Sequence, residues 1–402
     1  MQNSKHQNHK VNWGLISAAY AFLIVMMGTT LPTPLYPIYS KVYDLSPLMI
    51  TIIYAVYAAG VIGGLLVFGQ LSDRIGRRYV LIPGVILSAI SALVFLFATN
   101  VGLLLAGRVI SGLSAGLFTS TATTTIVNLA ADDKKGRAST IASSVNMLGL
   151  GFGPLLCGIL AQYLPCAMRL VFIVDFILII PVIPAFIGIW FMPEPVKNKQ
   201  KFKIEVQKLS VPSDIRSTFI YAVIPVFVGF SMLGLFTAIS PNFLGDILNI
   251  TNKAVIGVMV FLIFCASTLG QLLFKSKSDY HILMLGSGTL IVGVILVGLS
   301  IQLESFLILF IGAIISGFGQ AFSFRAGLST VNAVAPEDKQ AEITSTFFTI
   351  AYIAISIPVV GVGLLELGLG IKLAGIVFSI IIVILAILSL ILLLANKKKS
   401  NS

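Results

Sequence analysis

Twelve stretches of this chain are apolar for long enough to cross a bilayer, running approximately over residues 14–38, 50–71, 79–98, 101–127, 139–163, 169–193, 218–243, 254–274, 281–301, 304–330, 341–366 and 371–395. No other feature narrows the fold as far. In hydrocarbon a backbone N–H or C=O finds no water to bond, so each stretch has to be a helix that satisfies its own peptide groups. Composition agrees: 57% of residues are apolar and 10% are charged, against about 25% charged in an ordinary soluble domain. The chain reads as an all-α polytopic membrane protein of twelve transmembrane helices. Its first stretch is too long for a removable signal peptide, and no small-residue cleavage site closes it.

A net charge of +11 would suit a nucleic-acid binder if the cations formed one patch, but they follow topology instead. Of the 26 Lys and Arg, 20 lie in the termini and in alternate loops. Lys41, Arg169, Lys253 and Lys372 occupy the opposite loops, and Arg108 and Arg325 lie within spans. The positive-inside rule then places both termini in the cytoplasm, with the cell membrane as location and no nucleic-acid partner. Cys157, Cys166 and Cys265 have neither metal-site spacing nor a disulfide pattern, so no metal and no cofactor is expected.

The long hydrophilic connection at residues 194–217 divides the spans six and six. Short matches recur across it in register. FGQL at 68–71 returns as LGQL at 269–272, ISG at 110–112 as ISG at 315–317, and VNLAADDKK at 127–135 as VNAVAPEDK at 331–339, while Pro154 falls opposite Pro358. The expected organisation is an N-terminal six-helix bundle at 1–193, a cytoplasmic linker at 194–217 and a C-terminal six-helix bundle at 218–402. The bundles are related by a pseudo-two-fold axis along the membrane normal, an arrangement that exposes a central site by rocking of its halves.

The loop between the second and third spans reads Gly69-Gln70-Leu71-Ser72-Asp73-Arg74-Ile75-Gly76-Arg77-Arg78-Tyr79-Val80-Leu81. Glycine at 69 allows a close helix contact and glycine at 76 a tight turn. Asp73 is suited to a neighbouring helix N-terminus, and Arg74, Arg77 and Arg78 can fork onto carboxylates or lipid phosphates. This run resembles the loop signature of the major facilitator superfamily at every specified position. The resemblance implies the two-bundle facilitator fold and gives the loop the role of a conformational latch. The repeat copy from Gly270 to Lys277 keeps Gly-x-Leu but lacks the Asp-Arg pair.

Two further runs are similar to family motifs. In the fourth span, Arg108 precedes Ser111, Gly112, Ser114, Ala115 and Gly116. A cation about 10 Å below the span end costs about 2.5–3.5 kcal/mol on insertion scales unless paired or hydrated. It should face the cavity, the alternative being an anchor that snorkels to headgroups. In the fifth span, Gly149, Gly153, Pro154 and Gly158 resemble the exporter-associated Gly-Pro motif, with Cys157 in place of one terminal glycine. Pro154 would bend this helix and the glycines admit a close partner.

By the resemblance, spans 1, 4, 7 and 10 line the central cavity. Candidate cavity or coupling residues are Tyr20, Arg108, Asn146, Asp175, Gln320 and Arg325, with hydroxyls at Thr29, Thr30 and from Thr119 to Thr125. Arg325 faces either the cavity or the cytoplasmic interface; in the first case it and Arg108 would favour a solute bearing carboxylate or phosphate. Asp175 is the only acid placed away from a span end and so a candidate for proton coupling, against which stand the peripheral place of the sixth span in the family and Arg169 as a structural partner. The chain has no P-loop, no H-E-x-x-H and no nucleophile–base set, which speaks against an ATPase or an intramembrane enzyme. The expected protein is a monomeric proton antiporter exporting a small organic solute, drug-like or endogenous, with metallophores among the examples. The alternative is a proton-coupled uptake symporter for a sugar or an organic anion. If the loop is a latch, Asp73→Asn leaves insertion and abundance intact while slowing transport, measured on reconstituted protein. Normal rates in that variant remove the latch role.

Overall fold

The computed structural model describes residues 13–68, 72, 75–131, 134–182, 184, 207–273, 278–336 and 339–400. Gly69, Asp73 and Arg74 of the expected latch, and residues 194–206 of the expected linker, lie outside them. Among the described residues there are helices and no strands.

The first crossing is broken. Helix α1 (Trp13–Thr30) stops before Leu31-Pro32-Thr33-Pro34, where two prolines withhold the N–H groups that would continue it. A 3₁₀ turn at Thr33–Leu35 leads into α2 (Tyr36–Tyr43), which completes the crossing. Then follow α3 (Pro47–Phe68), α4 (Arg78–Leu96), α5 (Val101–Asn128), α6 (Lys135–Tyr163) and α7 (Ala167–Ile179). Beyond the 3₁₀ turn Ser213–Ile215, α8 (Arg216–Ala238) and α9 (Ser240–Asp246) form a second crossing interrupted by a proline, Pro241. The remaining helices are α10 (Lys253–Leu273), α11 (Asp279–Leu303), α12 (Phe306–Val334) and α13 (Gln340–Ser400). Helix α13 is two spans joined at Gly370, whose φ of +75° breaks the helical path. Ten helical segments among the described residues are long and apolar enough to cross a membrane. Dividing α13 at Gly370 adds one crossing, and α7, described only to Ile179, belongs to another. The fold is thus all-α and consistent with twelve crossings.

Internal symmetry extends to local chemistry that short sequence matches do not display. Asn100 caps α5 by accepting from the Leu103 N–H, and Ser305 caps α12 by accepting from the Ile308 N–H, two positions with the same separation as the two Ile-Ser-Gly runs. Asp44 after α2 and Asn249 after α9 both turn the chain at positive φ, 49° and 53°. Packing repeats as well. Helix α5 receives α3 and α4 just as α12 receives α10 and α11, and α1 lies on α6 as α8 lies on α13. Between the two sets, α6 packs on α10 and α13 packs on α3.

Small residues set the closest approaches. A Cβ added at Gly60 would lie 3.0 Å from the Gly112 Cα, and one at Gly116 would lie 3.0 Å from the Gly64 Cα. Two glycine pairs at four-residue spacing thus face each other across the α3–α5 seam, letting backbone meet backbone. A side chain at Gly112 has to push these helices apart, an overpacking cost of about 1–3 kcal/mol. Gly112→Val therefore lowers the unfolding temperature of detergent-purified protein, while Gly136→Val, at a position with open space around it, leaves it unchanged.

Candidate functional site

A chamber lies between the two sets of helices. One wall carries Thr29 and Thr30 of α1, Tyr54 and Tyr57 of α3, Thr119 of α5, and Asn146, Met147 and Leu150 of α6. The facing wall carries Phe230, Leu233 and Thr237 of α8, Phe264 of α10, Phe324 of α12, and Phe348, Tyr352 and Ile355 of α13. Phe324 is the centre of an aromatic group, with ring centroids 5.5 Å from Phe230 and 6.0 Å from Phe348. The chamber thus offers apolar ring faces edged by hydroxyls and one amide, which suits a ligand with an aromatic or aliphatic body.

Next to it, at the end of the bundle carrying most of the cations, is a wider vestibule. The first turns of α6 supply Ser139, Thr140 and Ser143, and the last turns of α12 supply Arg325, Ser329 and Asn332. Phe324 lines both spaces. Arg325 is held by one hydrogen bond, Nη1 to the Gln271 carbonyl at 2.9 Å, so its head is positioned at the vestibule wall. At the opposite end the halves touch. Gly158 of α6 packs on Gly257 of α10, a Cβ at Gly158 lying 3.1 Å from the Gly257 Cα. Gln162 Oε1 accepts from the Lys253 N–H at 2.9 Å, so a side chain of one half caps a helix of the other. A third, small cavity lies wholly in the second half and is apolar apart from Ser240, whose hydroxyl donates to the Phe236 carbonyl.

Arg108 lies behind the chamber wall and is 1% exposed, which excludes a snorkelling anchor in this conformation. Its Nη1 donates to the Thr29 carbonyl at 2.5 Å and its Nη2 to the Tyr36 hydroxyl. The guanidinium carbon stands 5.4 Å from the Tyr36 ring centre, 6.0 Å from that of Tyr54 and 5.9 Å from that of Phe95. It is therefore held by a carbonyl, a phenol and three aromatic rings, and no ion-pair partner for it occurs among the described residues. Asp175 is also buried, at 3% exposure, and its carboxylate lies against Gly28 of α1. Arg169 is exposed and makes no ion pair with it among the described residues.

The other sequence candidates fall in different places. Asn146 lines the chamber. Tyr20 does not; its hydroxyl donates to the Leu178 carbonyl and ties α1 to α7. Gln320 is fully buried between α10 and α12, where its Oε1 accepts from Ser267. Of the threonine row, only Thr119 reaches the chamber, and Thr119, Thr123, Thr124 and Thr125 each donate to the carbonyl four residues back. The Gly-Pro run serves two seams. Gly149 packs on Leu23 and Met26 and Gly153 on Met27 and Thr30, within one half, while Pro154 and Gly158 pack on Gly257 across the halves. In the loop, Gly76 turns at φ +107° and the Arg78 guanidinium stands 5.2 Å over the Tyr79 ring; Arg77 is half-buried beside them. The aromatics of spans 2 and 11, Tyr54, Tyr57, Phe348 and Tyr352, were not anticipated. The signal open to sequence reading was their residue type, aromatics on spans that could otherwise be aliphatic, which marks them without saying which way they face.

Two pseudo-symmetric helical sets enclosing an aromatic chamber, with a vestibule toward one end and close helix contacts at the other, define a multi-pass membrane transporter. The chain belongs to the major facilitator superfamily, whose sequence pattern matches residues 18–358. Members of this family carry small molecules across membranes and are not enzymes. An uncharacterized MFS-type transporter of Methanocaldococcus jannaschii is 26% identical over 358 residues, 86% of this chain and 89% of that protein. The putative multidrug resistance protein MdtD of Enterobacter sp. (strain 638) is 24% identical over 196 residues, 49% of this chain and 41% of its own length. The crystal structure of a bacterial homologue of the human lysosomal transporter Spinster, in an inward-facing and unoccupied conformation, aligns with a TM-score of 0.72 at 16% identity, covering 96% of this chain and 98% of that one.

The Arg108 contacts need two separated N–H groups in one plane. Arg108→Lys keeps the charge but can reach only one of the Thr29 carbonyl and the Tyr36 hydroxyl. It should lower transport several-fold while leaving the protein folded, checked by uptake rates and by the elution profile of the purified variant. Transport equal to wild type would mean that charge alone suffices.

Proposed function

We propose that this chain exports a small organic solute across the cell membrane by proton antiport and alternating access, working as a monomer with both termini in the cytoplasm. The observation that carries the reading is the wall shared by the two spaces. Phe324 faces the aromatic chamber, and its neighbour Arg325 faces the vestibule. A solute with an apolar body and an anionic or zwitterionic group fits that pairing, drug-like or endogenous, a metallophore included. With the cation-rich end in the cytoplasm, the vestibule opens inward and the contacts of Gly158 and Gln162 close the outer side. That is the state in which an exporter collects its cargo. The alignment with an inward-facing solved structure supports this assignment of state.

Residues 1–193 and 218–402 are the two rocking bodies of this reading, with residues 194–217 as their linker and the loop from Gly69 to Arg78 as the latch. Export in exchange for protons, as opposed to uptake with them, rests on the resemblance of the Gly149 to Gly158 run to the exporter motif and on the relative named a putative multidrug resistance protein.

Comparing metabolites inside and outside cells with and without the protein identifies the solute. In inside-out vesicles an interior-acid pH gradient then drives its accumulation, and a protonophore stops it. Accumulation that persists after collapse of both pH gradient and membrane potential overturns antiport, as does uptake with co-moving protons into right-side-out vesicles.

A further inference from the structure

An antiporter needs a group that binds a proton in one conformation and gives it up in another, placed where the moving parts can sense it. The chamber wall offers no carboxylate, since its polar residues are threonines, tyrosines and Asn146. Behind it, Asp175 is the only buried acid among the described residues. Three features set it apart. Its Oδ1 has no hydrogen-bond partner among them. A Cβ added at Gly28 would stand 3.0 Å from its Oδ2 and 3.3 Å from its Oδ1, so the approach exists because residue 28 is glycine. Gly28 also belongs to the last turn of α1, immediately before the break.

That turn is gripped on successive residues. Gly28 meets the Asp175 carboxylate, the Thr29 carbonyl receives Arg108, and the Thr30 hydroxyl donates to the Leu150 carbonyl at 2.7 Å. Thr29 and Thr30 are themselves chamber wall. A change of charge on Asp175 therefore acts on a helix end whose next two residues touch the cargo space. An ionised carboxylate beside the C-terminal end of a helix is repelled by the helix dipole and, once buried, lacks the donors it had in water. Protonation removes the repulsion and the cost of burying a charge, leaving only the smaller cost of a buried neutral carboxyl. Few other titratable groups compete on the elements packed against α7. Helix α1 offers only Tyr20, bonded to Leu178, and α4 carries only Arg78 and Tyr79 at its start. Helix α6 carries Lys135, Arg137 and Tyr163 near its ends and the buried Cys157. Arg108 of α5 reaches the same turn of α1 through Thr29.

We propose that Asp175 takes up and releases the proton exchanged for solute, and that the Gly28 contact passes its state to Thr29 and Thr30. This rests on the antiport reading. In balance, one O–H bond forms on the carboxylate when the proton arrives from outside and breaks when it leaves toward the cytoplasm, and no other bond changes. Asp175 is thereby a coupling residue that acts on the chamber through α1 without touching the cargo.

The test uses the apolar carbodiimide dicyclohexylcarbodiimide on the purified full chain, with no solute present. A protonated carboxyl gives up its proton to a carbodiimide nitrogen as its oxygen bonds to the central carbon, and the adduct rearranges to a stable N-acylurea that mass spectrometry locates. The expected result is an adduct on Asp175 that grows as the buffer is made more acid, is lost in Asp175→Asn, and has its pH dependence displaced in Gly28→Ala. An adduct absent from Asp175 at every pH, or one insensitive to pH, overturns the proposal even if Asp175→Asn fails to fold, because this result is read on the wild type. If labelling responds to pH while wild-type vesicles fail the gradient measurement, antiport falls and Asp175 stands as a titrating site without a transport role. If the gradient measurement succeeds and labelling does not respond, only the Asp175 assignment falls.

Discussion

The chamber depends on one polar contact in a setting that has almost no water: the Arg108 guanidinium on the broken end of α1. Pro32 and Pro34 stop α1, and a helix that stops leaves its last carbonyls without intrahelical donors. In a soluble protein water would take them. Here Arg108 donates to the Thr29 carbonyl, and its positive charge lies at the negative end of the helix dipole. The same guanidinium, too costly to leave bare, is surrounded by Tyr36, Tyr54 and Phe95. The orphaned carbonyl and the buried cation therefore satisfy each other. Since Thr29 and Tyr54 also line the chamber, its wall takes its shape from that contact.

Glycine decides which seams stay shut and which can part. The α3–α5 seam is glycine on both sides, so those helices hold each other along a broad backbone contact within one half. Between the halves, Gly158 meets Gly257 in the same way, but the polar tie added there is the single bond from the Lys253 N–H to Gln162. A seam of small residues traps few side-chain rotamers and interlocks little, so parting it costs less than withdrawing knobs from holes. When Gln162 releases, water can replace its bond. Such a contact is closed yet breakable, which is what alternate opening would demand of a gate in the proposed transporter.

Much of the fold was legible in the sequence, and the reason is the solvent. Hydrocarbon forces spans to be helical and long, and so the crossings stand out; the break at Pro32 and Pro34, inside a first span read as continuous, came only with the structure. The duplication was visible in ISG and in the charged loop runs, and the structure extends it to the Asn100 and Ser305 caps and the turns at Asp44 and Asn249. The inward face of each helix was much less legible. A soluble helix shows its buried side by contrast with a polar one, whereas here lipid and protein are both apolar and the contrast vanishes. Hence Tyr54 and Tyr352, which meet at the chamber, carried no directional mark. The threonines of span 4 looked like a polar lining, yet four of them spend their hydroxyls on their own helix. Arg108 announced itself by its cost, but its acceptor is a main-chain carbonyl freed by a break elsewhere in the chain, which no spacing within span 4 encodes.

The distribution of charge around the chamber bears on what the proposed exporter would accept. Its wall is uncharged, with Arg108 behind it and Arg325 in the vestibule. A positive group set at the entrance and absent from the chamber raises the local concentration of anions and orients them head first, without binding them so tightly that they cannot leave. In that reading, affinity inside the chamber would fall to ring faces such as Phe324 and Tyr352, which tolerate many apolar shapes, while the entrance would select by charge. Separating those two tasks lets a small change at Arg325 alter which head group is admitted while the aromatic wall, and the helix contacts that hold it, stay as they are.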